Sequence, residues 1–82
     1  MSYEKVEQAQ KTIIGTKQTV KAIRAGIVAE VIIAQDADER ITTPAMEEAA
    51  LQGIRVTHVD SKRKLGEICG IQVGAAVVAI TG

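Results

Sequence analysis

Gly15-Thr16-Lys17-Gln18-Thr19-Val20-Lys21 and Ser61-Lys62-Arg63-Lys64 both place lysine in what reads as the first turn of a helix. That turn favours Asp or Glu, because its unpaired N–H groups make it partly positive. A lysine there costs about a few tenths of a kcal/mol. Free N–H groups beside lysines suit an anion, and Gly15 leaves room for close approach to the backbone. Local rules broken at a defined place tend to mark function, although either start alone also fits a solvated lysine on a tolerant surface. A third segment, Gly70-Ile71-Gln72-Val73-Gly74, sets two apolar side chains between glycines. They could project from a loop as prongs that pack on a planar group. On the residues alone, the simpler reading is that they start a last strand and are buried.

The charges are sorted along the chain. Lys11, Lys17, Lys21, Arg24, Lys62, Arg63 and Lys64 account for seven of the ten basic residues. No acid falls between Glu7 and Glu30, whereas residues 30–60 carry seven acids and two arginines. The formal net charge of zero therefore hides a polar molecule. A one-sided basic surface is the footprint expected for a phosphate-rich partner. Ordinary solvated helix faces account for the charge alone equally well.

The elements that must position these segments follow from pattern and punctuation. Ser2 can cap a first helix over about 3–11, with Val6, Ala9 and Ile13 facing inward. Ile13-Ile14 is a short extended piece ended by Gly15. Thr16 caps a second helix to about Ala25, with Val20, Ile23 and Ile27 on its buried side. Lys17, Lys21 and Arg24 share another side, and Gly26 stops the helix. Val31-Ile32-Ile33-Ala34 reads as a strand covered on both faces, with Asp36-Ala37-Asp38 as its polar exit. Thr43-Pro44 reads as the start of a third helix, Thr as cap and Pro at the first position. That helix carries Met46, Ala49, Ala50 and Leu51 and stops at Gly53. Ile54, Val56 and Val59 belong to another strand. Ser61 caps a fourth helix to about Cys69, and Ala75 to Ile80 closes as an apolar strand. Alternating strands and helices predict an α/β fold, a three-layer α/β/α sandwich with helices on both faces. At 82 residues the chain fits one domain, 1–82, with an aliphatic core.

Several function classes are disfavoured. Tyr3 is the only aromatic residue, and readers of single-stranded nucleic acid usually stack bases on aromatic rings. A folded or kinked RNA is the better partner if RNA is bound. The single cysteine, Cys69, excludes an intrachain disulfide and a cysteine-based zinc site. It reads as a small core residue. No Walker A loop and no Gly-x-Gly-x-x-Gly after a strand is present. His58 lies in a strand pattern and reads as structural, and Asp36 and Asp38 read as turn caps. No catalytic residue, metal or cofactor is expected. Residues 2–5 lead into no apolar run of signal-peptide length, and no stretch approaches the ~20 residues of a membrane helix. A cytoplasmic protein with no membrane partner is the expectation.

Gly15 to Lys21, Ser61-Lys62-Arg63-Lys64-Leu65-Gly66 and Gly70-Ile71-Gln72-Val73-Gly74-Ala75-Ala76 together resemble the ribosomal L7Ae family of kink-turn RNA-binding proteins. The resemblance runs in order and with matching spacing over nearly the whole chain, and is closest to the bacterial YbxF-type branch. It implies an α/β/α sandwich with a small mixed four-stranded sheet. It implies recognition of a sharply bent RNA with tandem sheared G·A pairs. The helix start would enter the widened major groove and contact the G·A guanines through Lys17, Gln18 and Lys21, supported by Gly15 and Thr16. Lys62, with Lys64 beside it, would contact the backbone. Ile71, Gln72 and Val73 would pack on extruded nucleotides. Archaeal members commonly read Asn-Glu where this chain has Lys17-Gln18. Glutamine has one acceptor where glutamate has two, and lysine lacks the paired geometry of an amide. Binding should therefore lean on phosphate contact and be more salt-sensitive. The resemblance leaves ribosomal RNA, a riboswitch or a small RNA as the partner of a monomer. A second class stays open: a ribosome-associated protein-interaction domain docking through Asp36, Asp38, Glu39, Glu47 and Glu48. The sequence pI near 6.6 is low for a ribosomal protein and suits that reading.

Overall fold

The computed structural model describes residues 2–9 and 11–82. Its elements run α1 (Ser2–Gln8), β1 (Thr12–Ile14), α2 (Thr16–Arg24), β2 (Val28–Ala34), α3 (Glu39–Gln52), β3 (Arg55–Val59), α4 (Lys62–Ile68) and β4 (Val77–Thr81). The four strands form one mixed sheet in the order β1-β4-β2-β3. β4 is antiparallel to both β1 and β2, and β3 is parallel to β2.

Burial on two faces explains the apolar run in β2. Successive strand residues point to opposite faces. Val31 and Ile33 join Val77 and Ala79 beneath α2 and α3, where Ala22, Ile23, Ala45 and Ala49 meet them. Ile32 and Ala34 join Val78 and Val59 on the opposite face, against Tyr3 and Val6 of α1 and Leu65 of α4. The expected α/β/α sandwich is the fold observed.

Some boundaries differ from the sequence reading, each for a physical reason. α3 begins one turn before Thr43-Pro44. Asp38 is its cap, accepting a hydrogen bond from the Arg40 N–H at 2.9 Å. Glu39 occupies the acid-favouring first turn. Pro44 lies inside the helix, where it has no N–H to donate to the Arg40 carbonyl four residues back. In α2, Gly15 is the cap residue and makes no side-chain capping bond. Thr16 is already helical, and its hydroxyl donates instead to the Ile41 carbonyl at 2.8 Å, tying α2 to α3. Ile27 lies beyond the end of α2 and is 51% exposed, while Thr19, Ala22 and Ile23 form the buried stripe. α1 stops at Gln8, short of residue 11. The capping role assigned to the Ser2 side chain lies outside what is described. β4 starts at Val77, two residues later than expected, because residues 69–76 are occupied by a loop.

Direction within the sheet fixes the position of every loop of interest. β1, β2 and β3 all run the same way, and β4 runs against them. The exits of β1, β2 and β3 and the entry of β4 therefore share one edge of the sheet. Gly15, the Asp36–Asp38 turn, Asp60-Ser61 and the glycine-bracketed loop are brought together there.

Candidate nucleic-acid interface

At that edge the start of α2 is open. Gly15 adopts φ 106° and ψ 150°, a conformation essentially restricted to glycine. Its N–H donates to the Val77 carbonyl at 2.9 Å, which fixes the helix start beside the entry of β4. The first acceptor inside the helix is the Gly15 carbonyl, bonded by the Thr19 N–H at 2.9 Å. No side chain caps the preceding N–H groups, and α2 has no acid in its first turn. Lys17, Gln18 and Lys21 are exposed alongside.

The start of α4 is closed. Ser61 caps it as expected, accepting from the Lys64 N–H at 3.1 Å. Asp36 comes across from the exit of β2 and accepts the Lys62 N–H at 2.8 Å. The two helix starts that look alike in sequence thus differ: α2 keeps its N–H groups, and α4 spends two on its own chain. What α4 offers a polyanion is side-chain charge from Lys62, Arg63 and Lys64, all exposed.

The loop after α4 is a projection, not the first part of a strand. Val73 is 71% exposed and Gln72 is exposed, so burial of Val73 in β4 is corrected. Ile71 is half-buried and rests on the core beneath α4. The loop is stitched to α4 by the Ile71 N–H on the Gly66 carbonyl at 3.0 Å and the Ala75 N–H on the Lys62 carbonyl at 2.9 Å. A Cβ on Gly66 would lie 2.1 Å from the Val73 carbonyl oxygen, so only glycine admits the loop at this height.

Pairing separates the cations into two groups. Lys5 is paired with Glu30, Arg24 with Glu48, Arg40 with Asp38 and Arg63 with Glu67. Lys17, Lys21 and Lys62 make no ion pair among the described residues. Lys64 lies 4.8 Å from the centroid of the Tyr3 ring. Of the cations without an ion pair among the described residues, Lys17, Lys62 and Lys64 lie at the shared edge and Lys21 one turn along α2, whereas Lys11 and Arg55 lie at the opposite end of the sheet. Arg40 beside Asp38 holds that carboxyl below the usual range, and Lys62 adds to the effect.

Tyr3 is a residue the sequence reading missed. Its ring is buried against α4, and its hydroxyl donates to the Asp60 carboxylate and accepts from the Ser61 N–H at 3.0 Å. Burial, then the bond to Asp60, raises the Tyr3 hydroxyl's pKa; the same bond lowers that of the Asp60 carboxyl. Its signal in the sequence was its being the sole aromatic residue. Tyr3→Phe should cost about 1–3 kcal/mol by orphaning the Ser61 N–H, read as a lower Tm in thermal unfolding. A carboxyl with a depressed folded pKa stabilises above its unfolded value near ~4 and loses that contribution as pH falls through the folded value. The gap between Tyr3→Phe and the parent should accordingly narrow below about pH 4.

The remaining candidates stay structural. His58 is exposed on the edge strand β3. Cys69 is half-buried, and burial pushes its thiol pKa up. Asp38 caps α3 locally, whereas Asp36 does not cap the turn expected of it and reaches across to α4. Among the described residues no group of three His, Cys, Asp or Glu is placed to hold a metal. No described helix is long and apolar enough to cross a membrane.

A mixed four-stranded sheet with paired helices on each face, an open glycine-led helix start and a loop seated on a helix glycine define a recognisable class. The profile of the ribosomal protein L7Ae/L30e/S12e/Gadd45 family matches residues 2–82, and the chain belongs to that family. A Geobacillus sp. (strain WCH70) protein described as an RNA-binding protein is 59% identical over 80 residues, covering 98% of each chain. The RNA-binding protein YbxF of Geobacillus stearothermophilus is 55% identical over 84 residues, again covering 98% of each. The solved structure of the Giardia lamblia 15.5kD RNA binding protein matches with a TM-score of 0.85 at 26% identity, over 98% of this chain and 68% of that one.

Proposed function

We propose that this protein is a non-enzymatic RNA-binding module that recognises kink-turns through their tandem sheared G·A pairs and stabilises the bent form. Its site is Gly15, Thr16, Lys17, Gln18 and Lys21 on α2, Lys62 and Lys64 on α4, and Ile71, Gln72 and Val73 in the loop. The observation that carries the reading is the company these residues keep. An uncapped helix start, unpaired lysines and an exposed apolar prong share one edge of the sheet, while most other cations are neutralised by acids. Free N–H groups and lysines suit phosphate, and an apolar prong suits an extruded base. Family membership and relatives described as RNA-binding support the same reading. Binding needs only differential affinity for the bent state, with no chemistry. A monomer working in the cytoplasm on ribosomal RNA, a riboswitch or a small RNA fits this role.

The test is titration into a short kink-turn RNA beside a control with both G·A pairs changed to Watson–Crick pairs. Tight binding to the first and weak binding to the second is expected. Equal binding would reduce the surface to phosphate attraction and favour the second reading, docking of a protein through the acids of residues 36–48. Lys17 adds a cation where an archaeal member carries asparagine, so log K should fall with log salt about one unit more steeply than for such a member. An equally flat salt dependence in the two proteins would remove Lys17 from the phosphate contacts.

A further inference from the structure

Asp36 stands outside the RNA-contact set, yet its carboxylate governs the ground on which the loop stands. It leaves the end of β2, crosses to α4 and accepts the Lys62 N–H at 2.8 Å. The carbonyl of that same Lys62 accepts the Ala75 N–H at 2.9 Å, which closes the loop. Gly74 sits over Lys62, with room for a Cβ only at 3.3 Å from its Cγ and 3.5 Å from its carbonyl carbon. Val73, one residue earlier, lies over Gly66. An unbroken series of contacts runs from the Asp36 carboxylate through the Lys62 peptide to the exposed Val73 prong.

We propose that Asp36 is a positioning residue for RNA recognition: by anchoring Lys62, it sets the height and orientation of the Ile71–Val73 loop that packs on the RNA. The bond joins a carboxylate to a helix-start N–H, the stronger kind of hydrogen bond. It is also long-range in sequence, linking the exit of β2 to the start of α4, so no local turn would replace it. The carboxylate has a second effect. Its negative charge stands beside Lys62 and repels the phosphates of any RNA, bent or straight. Loss of the carboxylate should thus damage selective binding while sparing or improving attraction to undifferentiated RNA.

The proposal rests on the kink-turn reading, and the test separates the two. Asp36→Ala removes the acceptor; Asp36→Asn keeps an acceptor oxygen and removes the charge. Both variants and the parent are titrated into the kink-turn RNA and the Watson–Crick control, and Ala75 amide hydrogen exchange is measured without RNA. The expected result for Asp36→Ala is an affinity loss of about tenfold for the kink-turn, the scale of one charge-assisted hydrogen bond, with control binding unchanged or tighter. Asp36→Asn should restore kink-turn binding to within about twofold, because the geometry of the bond survives. Ala75 exchange should speed up in Asp36→Ala and not in Asp36→Asn. Unchanged kink-turn affinity in Asp36→Ala overturns the proposal, as does an equal loss on both RNAs, which would mark a stability effect only. If the parent itself fails to discriminate the RNAs, the kink-turn reading falls. Ala75 exchange then decides the positioning role: equal rates in all three proteins overturn it, and acceleration confined to Asp36→Ala upholds the coupling of Asp36 to the loop.

Discussion

Gly66→Ala should disable the loop more completely than any substitution within it. The added Cβ would fall 2.1 Å from the Val73 carbonyl oxygen, 3.1 Å from the Gly74 Cα and 3.2 Å from the Ala75 nitrogen. All three are backbone atoms, so no side chain can rotate aside. α4 cannot easily retreat, because Leu65 beside Gly66 is fully buried against the sheet. The loop must therefore lift and strain its bonds to the Gly66 and Lys62 carbonyls. Overpacking of this kind costs about 1–3 kcal/mol, which for a domain this size lowers Tm by about 4–8 °C per kcal/mol. Kink-turn affinity should fall further, since the Val73 prong leaves its place. Burial of one such side chain is worth about 1.5–3 kcal/mol, or roughly ten- to a hundredfold in Kd. Val73→Ala is the companion measurement. At 71% exposure Val73 contributes little to the fold, so its truncation should leave stability within about 0.5 kcal/mol and still weaken binding. Normal RNA affinity in Gly66→Ala, at a concentration where the protein is folded, would take the loop out of the interface.

Which parts of the molecule were legible in the sequence depended on whether the deciding interaction is local. Val31-Ile32-Ile33-Ala34 announced a doubly buried strand because each residue reports the face it points to. Ser61 announced a cap because its partner, Lys64, lies three residues on. α3 was misread at its start because Thr43-Pro44 and Asp38-Glu39 are both good local signals. Only packing onto the sheet decides between them, with Thr42 and Ala45 both buried. The expected equivalence of the two lysine-led helix starts failed for the same reason. Asp36 lies 26 residues from Lys62, and nothing in its neighbours shows that it crosses to cap α4. Tyr3 reaches Ser61 over 58 residues and was equally hidden. Gly66 lies within the segment Ser61-Lys62-Arg63-Lys64-Leu65-Gly66, yet its role needs the height of a loop that the chain lays down only later. Long-range contacts of this kind hold the candidate site together, so the surface residues could be named from the sequence while their supports could not.

Gln18 and Lys21 should separate the two components of binding. Both are exposed on α2, and their side chains make no hydrogen bond or ion pair among the described residues, so replacing either should leave stability within about 0.5 kcal/mol. Their chemistry differs. An amide can pair with a base edge through one donor and one acceptor, worth about 1–3 kcal/mol of discrimination. Lys21 draws the phosphates of any RNA as a point charge, a larger part of its binding than its contact with a G·A guanine. Gln18→Ala should then weaken kink-turn binding by about tenfold, leave the Watson–Crick control unchanged and preserve the salt slope. Lys21→Ala should weaken both RNAs together and flatten the slope by about one. The reverse pattern, a salt effect from Gln18 and a selective loss from Lys21, would mean that α2 lies in the groove in another orientation. Unchanged affinity in both variants would remove α2 from the interface, and the open helix start at Gly15 would then need a different anion.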